Sequence, residues 1–201
     1  MRLFVSLATI ALVGCTDPLL DRRIEELGVE EVGFPPSAIH RRGQPCVRCH
    51  SDYEGANPEM SIGGTLFVTP EPGDPTLLPA AGLTVRIIDS TGQIVDMPTN
   101  ECGNFFERRE DFEPAFPLRA EVWGPSAQNP ASLVQIKVMS TRIARDGSCG
   151  SCHTEPLSPA SPGAIFVDRD AIARTGLSLS SALTCPTPRF GRTLLSGVEG
   201  L

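Results

Sequence analysis

Histidine is scarce in this chain: there are three in 201 residues, His40, His50 and His153. No Ser/His/Asp arrangement and no glycine-rich phosphate loop is present, so the usual signatures of a hydrolase or a nucleotide-handling enzyme are missing. Basic charge is also short, with 17 Lys and Arg against 24 Asp and Glu and a formal net charge of −7. Such a chain repels nucleic acid and anionic lipid, which excludes a nucleic-acid partner. The apolar run from Leu3 to Val13 is too short to span a bilayer, and no candidate span follows it.

What stands at the N-terminus has the order of an export signal: Arg2, the apolar run, then Leu12-Val13-Gly14-Cys15. The last four residues resemble a bacterial lipobox. That resemblance implies cleavage of residues 1–14, acylation of Cys15 and attachment to a membrane through lipid chains worth about 0.8 kcal/mol per buried CH₂. Thr16, rather than Asp, follows the cysteine, which by analogy with enteric sorting favours the outer membrane. The mature chain loses Arg2 and no acid, so it is one unit more negative, and a basic redox partner would be steered towards it.

Residues 15–45 read as an anchored spacer. A helix is expected over 16–33, with Asp17 and Pro18 at its start, Leu20, Ile24 and Leu27 on one face, Gly28 weakening it and Gly33 ending it. This spacer is expected to pack weakly on the body. Phe34-Pro35-Pro36 breaks regular structure, and a loop is expected over 54–64.

From Gly63 the apolar period becomes two. Leu66 and Val68, then Leu83, Val85 and Ile87, then Leu118, Ala120 and Val122, then Val134, Ile136 and Val138 each alternate with polar or outward residues. Each run reads as a half-buried strand, separated from the next by turn residues. The fold class is therefore mainly β, an antiparallel β-sandwich over 63–142 with little helix. Leu83-Thr84-Val85, Asp89-Ser90-Thr91-Gly92 and Gly103-Asn104-Phe105-Phe106 resemble the strand, D-x-x-G turn and G-x-F strand start of carboxypeptidase-regulatory-like (transthyretin-like) modules. Residues 155–164 read as loop, residues 168–175 as a short helix, and the tail from Pro186 as loosely ordered.

Two segments flank the sandwich, 46–62 and 143–201, and each carries one chemical motif: Cys46-Val47-Arg48-Cys49-His50 and Cys149-Gly150-Ser151-Cys152-His153. Two thiols separated by two residues can reach the two vinyl groups on one edge of a haem, and the next residue drops an imidazole onto the iron. A Cys₄ zinc site or a dithiol redox pair would use CxxC, but neither needs the histidine that follows each pair here. The motifs resemble those of c-type cytochromes. That resemblance implies two covalently bound haem c groups, with Cys46, Cys49 and His50 holding one and Cys149, Cys152 and His153 the other, and His50 and His153 as proximal iron ligands.

The motifs supply half of the axial ligands of two six-coordinate haems. His40 is the one histidine left, so a monomer cannot hold two bis-histidine haems; His40 and Met139 are the candidate distal ligands. Arg41, Arg42 and Arg48 read as a solvated positive face, with haem propionates or an acidic partner as the functional alternative. The acidic run from Glu107 to Glu113 reads as an exposed loop. Of seven cysteines, Cys102 and Cys185 remain, and in an oxidising compartment they are expected to pair. The functional expectation is an electron carrier of the cell envelope rather than an enzyme, with redox proteins, other multihaem cytochromes among them, as partners. A haem enzyme or a gas or peroxide sensor with an open distal site is the alternative, and a surface interaction subunit of a multihaem assembly is a third.

Overall fold

The computed structural model describes residues 18–51, 55–155, 157–178 and 185–190. Cys15 and the segment before it lie outside the described residues. Among the described residues no helix is long and apolar enough to cross a membrane.

The protein is mainly β, and its described residues form two sheets and three short α-helices. The strands are β1 (Met60–Val68), β2 (Thr84–Ile88), β3 (Ile94–Pro98), β4 (Asn104–Arg108), β5 (Arg119–Pro125), β6 (Leu133–Val138) and β7 (Ile165–Val167). One sheet has the order β4-β1-β7 and the other β3-β2-β5-β6. The four-stranded sheet is antiparallel throughout. β2 and β3 form a hairpin over Asp89-Ser90-Thr91-Gly92, where the Asp89 carboxylate accepts the Thr91 and Gln93 amides at 2.8 and 2.9 Å. In the three-stranded sheet β1 runs antiparallel to β4 but parallel to β7, a strand supplied by the chain beyond the second motif.

The two sheets bury Ile62, Leu66 and Val68 of β1 against Val85 and Ile87 of β2, Val122 of β5 and Val167 of β7, with Leu118 just ahead of β5. Alternation puts Gly63, Thr65 and Phe67 on the other face of β1. The period-two reading leaves that face to solvent, yet β1 is buried at every position. The reason is a second layer: Arg42 stacks over the Phe67 ring at 5.1 Å and Phe190 packs on it at 5.7 Å. β6, by contrast, is a half-exposed edge strand.

Three further expectations change. The first helix, α1 (Pro18–Glu26), stops before Gly28, where the Leu27 and Gly28 amides close on Ile24 and Glu25. β1 begins at Met60, so the expected loop ends earlier. Residues 186–190 are held on the body, because the Arg189 amide donates to Arg42 O at 2.9 Å and Pro186 O accepts from the Arg42 guanidinium at 3.1 Å. The Cys102–Cys185 disulfide is present, with the Cα atoms 5.5 Å apart, and fastens the same strap. The remaining helix of the C-terminal part, α3 (Arg169–Ala173), starts after Asp168.

Candidate functional site

Both motifs fold into the same local turn. The first is α2 (Cys46–Cys49), where the His50 amide donates to Cys46 O at 3.0 Å. The second is a 3₁₀ turn, Cys149–Ser151, where the His153 amide donates to Cys149 O at 2.9 Å. Each histidine is then oriented in the same way. Nδ1 of His50 bonds Pro58 O at 2.8 Å, and Nδ1 of His153 bonds Gly163 O at 3.0 Å. A carbonyl oxygen only accepts, so Nδ1 carries the proton in both rings and Nε2 keeps its lone pair. That is the tautomer a metal-ligating imidazole needs, with the second ring nitrogen fixed by a backbone carbonyl.

The two turns meet on β1, back to back. A Cβ on Gly63 would lie 2.8 Å from Cys46 Cβ, and one on Gly64 would lie 2.8 Å from Cys149 Cβ. Neighbouring strand residues point to opposite faces, so Cys46 and Cys149 sit on opposite sides of the same two glycines. Gly150 closes the contact from the other direction, because a Cβ there would be 2.6 Å from Gln44 O. Arg48 Nη2 reaches Ser151 Oγ at 3.5 Å. Two motifs about a hundred residues apart in sequence thus form one cluster.

The first motif borders a cavity of about 610 Å³. Cys46, Cys49, His50, His40 and Met60 line it, with Ile24 of α1 and Leu27 just after it. The N-terminal helix is therefore part of a site wall rather than a weakly packed spacer. The ring centroids of His40 and His50 are 5.9 Å apart. His40 Nδ1 accepts the Ser37 amide at 3.2 Å, so the neutral ring as placed carries its proton on Nε2, the reverse of His50 and His153; Nδ1 also lies 3.7 Å from Glu30 Oε1. Burial pushes the His40 pKa below its ordinary value against the pull of Glu30, so the ring is held neutral at pH 7. Burial likewise lowers His153, with Lys137 adding to the effect.

The four motif thiols are not in disulfides. Burial raises Cys46 to about 11 and Cys149 to about 12, and it raises Cys49 as well. A dithiol redox site needs a thiol lowered towards neutrality, the opposite direction. Among the described residues no three His, Cys, Asp or Glu side chains are grouped to hold a bare metal ion, so the four motif cysteines, all described, do not form a Cys₄ zinc site.

The donor set does fit a haem at the first motif: two thiols on one wall, a ligating imidazole tautomer, a second imidazole in the same cavity that frees Nε2 when its proton moves to Nδ1 beside Glu30, and a volume in the range of small-molecule sites. The second motif repeats the thiols and the oriented imidazole in a more open setting. Cys152 is exposed, and the hollow beside His153 measures about 10 Å³. Met139 lines neither space; it follows β6, and its amide donates to Ala120 O at 3.0 Å.

The arginine cluster is not one solvated face. Arg42 is 1% exposed and donates to Cys102 O, Pro186 O and Leu77 O at 3.0–3.1 Å. Arg41 is spent on Glu30, Gln44 and Gly28 O. Glu30, Met60 and Asn104 are site residues that periodicity and motif spacing do not single out. Comparison with protein-family models, curated proteins and solved structures finds no match to this chain.

Proposed function

We propose that this protein is a dihaem c-type cytochrome that carries electrons at a bacterial cell envelope, tethered by lipid on Cys15. The observation that carries the reading is the repeated histidine geometry. In two segments distant in sequence, CxxCH closes the same turn and a backbone carbonyl accepts a hydrogen bond from Nδ1–H, leaving Nε2 as a metal donor.

Cys46 and Cys49 would tether one haem, and Cys149 and Cys152 the other. His50 and His153 would serve as proximal ligands, and His40 would supply a second imidazole to the first haem once its proton has moved from Nε2 to Nδ1, beside Glu30 Oε1. When bound, each haem supplies a one-electron Fe(III)/Fe(II) couple. The chain's own contribution is placement. The glycine pair lets the two attachment turns approach from opposite faces of β1, which supports one two-haem relay rather than two independent sites. His40 and the walls of the first cavity cover the face opposite His50, which favours electron transfer over chemistry on an added ligand at that haem. The exposure of Cys152 supports a second haem that lies towards solvent, within reach of a partner protein.

The test is expression in a bacterium that matures c-type cytochromes, followed by intact mass and the pyridine haemochrome spectrum. The expected mass is that of the chain plus two haems, reduced by one haem in a Cys46→Ala/Cys49→Ala variant and by the other in Cys149→Ala/Cys152→Ala. A chain that matures with unmodified thiols and no haem absorbance would overturn the reading.

A further inference from the structure

Building on that reading, we infer that Asn104 is the positioning residue that holds His40 opposite His50. The His40 ring has few partners of its own, the Ser37 amide and the Glu30 carboxylate. Its place is therefore set by the backbone of residues 37–43, which forms turns and bends without regular structure. Arg41 in that loop has φ of +49°, a left-handed conformation that an L side chain adopts only where its surroundings hold it.

Asn104 supplies the hold. Its Nδ2 donates to His40 O at 2.9 Å and to Ala38 O at 3.1 Å, so both amide hydrogens go to this loop. Its Oδ1 accepts from Thr65 Oγ1 at 2.8 Å, and Thr65 Oγ1 accepts the Gly43 amide at 2.9 Å. A hydroxyl that accepts from an amide has its own hydrogen free to donate, and that fixes which end of the Asn104 amide faces the loop. Asn100 adds a bond to Ala38 O at 2.7 Å. The network has only one chemical solution: two donors and one acceptor in a planar group of this length. Aspartate lacks the donors, and leucine lacks both.

The network is tied to the proximal side as well. Asn104 is paired with Thr65 in the β1–β4 register, two residues from the glycine that backs Cys46. The same strand pair thus sets the turn that carries His50 and the loop that carries His40.

The test uses the full, matured chain and three variants: Asn104→Leu, Thr65→Val and His40→Ala. Haem mass and the Cys102–Cys185 disulfide report folding; low-temperature EPR of the oxidised protein and carbon monoxide uptake by the reduced protein report the distal site. Asn104→Leu is expected to keep both haems, lose the bis-histidine signal and take up one more equivalent of carbon monoxide than the wild type. Thr65→Val, which keeps the side-chain shape, is expected to give a partial form of the same change and answers for Asn104→Leu if that variant fails to accumulate. His40→Ala separates the two ideas. If it gains carbon monoxide while the Asn104 and Thr65 variants stay closed, the role of Asn104 is overturned and the His40 assignment stands. If His40→Ala itself changes neither signal, the assignment of His40 fails first.

Discussion

His40 and His50 both line the first cavity, with ring centroids 5.9 Å apart and planes tilted by 38°. Two imidazole nitrogens each bound at about 2 Å to one metal would put the ring centroids roughly 6 Å apart. The rings come from different segments, the loop before the first motif and the last position of the motif itself. Their spacing is a tertiary result.

With haem bound at the first motif as proposed, this spacing predicts one bis-histidine haem in the oxidised protein. Low-temperature EPR with near-infrared MCD should show a single bis-histidine component. Met139→Leu should leave that component unchanged, because Met139 lines neither motif's space, and should cost less than about 1.5 kcal/mol as a near volume-conserving swap. A spectrum in which Met139→Leu removes the feature assigned to the first haem would contradict the placement.

Gly63→Ala and Gly64→Ala should each destabilise the protein by about 1–3 kcal/mol, the usual cost of forcing a methyl into close-packed surroundings. The new Cβ would meet Cys46 in the first case, and Cys149 together with the Phe105 ring in the second. Urea unfolding measures the cost. Haem mass should show the loss divided by site, with Gly63→Ala impairing the first attachment more and Gly64→Ala the second.

Arg42→Met should cost about 3 kcal/mol. It strips the donor from three carbonyls, two of which belong to Cys102 and to Pro186 of the C-terminal strap. Burial lowers the Arg42 pKa to about 10, which still leaves the wild-type group charged at pH 7. With the disulfide intact, limited proteolysis after residue 185 should accelerate in the variant, and unchanged cleavage would show that the disulfide alone holds the strap.

Asp89 predicts a pH dependence of stability. Its carboxylate accepts from Thr91 Oγ1 at 2.7 Å and from the Thr91, Gln93 and Ala115 amides, and the Thr91 hydroxyl bond leads in holding its pKa below the ordinary carboxylate value. The folded state therefore binds this proton less readily than the unfolded chain. The stabilisation is complete above the unfolded value of about 3.9 and is lost as pH falls through the lower folded value. Asp89→Asn should lower the melting temperature at pH 6 and narrow its distance from the wild type as pH drops below about 4. A gap that stays constant from pH 6 to 2.5 would argue against the carboxylate's role in the turn.

Strand periodicity identifies β2, β5 and β6 because one face of each meets the other sheet and the other face meets solvent or a thin cover. It misjudges the outer face of β1, where Thr65 and Phe67 read as exposed. Arg42 and Phe190, which cover Phe67, and Gly43, whose amide bonds Thr65 Oγ1, come from segments far from β1 in sequence, and no local pattern encodes that. β7 is three residues long and pairs in parallel with β1, so it has too little sequence of its own to announce it. The arginine cluster shows the same limit: three basic residues near one motif look alike in sequence, yet Arg42 has a buried carbonyl cage and Arg41 an exposed-edge carboxylate.

What the sequence determined by itself is local: the CxxCH turn, in which the histidine amide closes on the first cysteine four residues back, and the alternation that makes a mainly β fold. Five residues contain all the partners of that turn, so it is legible without a fold. The leftover cysteine pair was also legible, by counting. The fold alone brings the two motifs together at Gly63 and Gly64, sets His40 beside His50, and ties the loop between them through Asn104. Those relations join segments tens of residues apart through close backbone approach and a buried amide, and their energy exists only once β1 and β4 have paired.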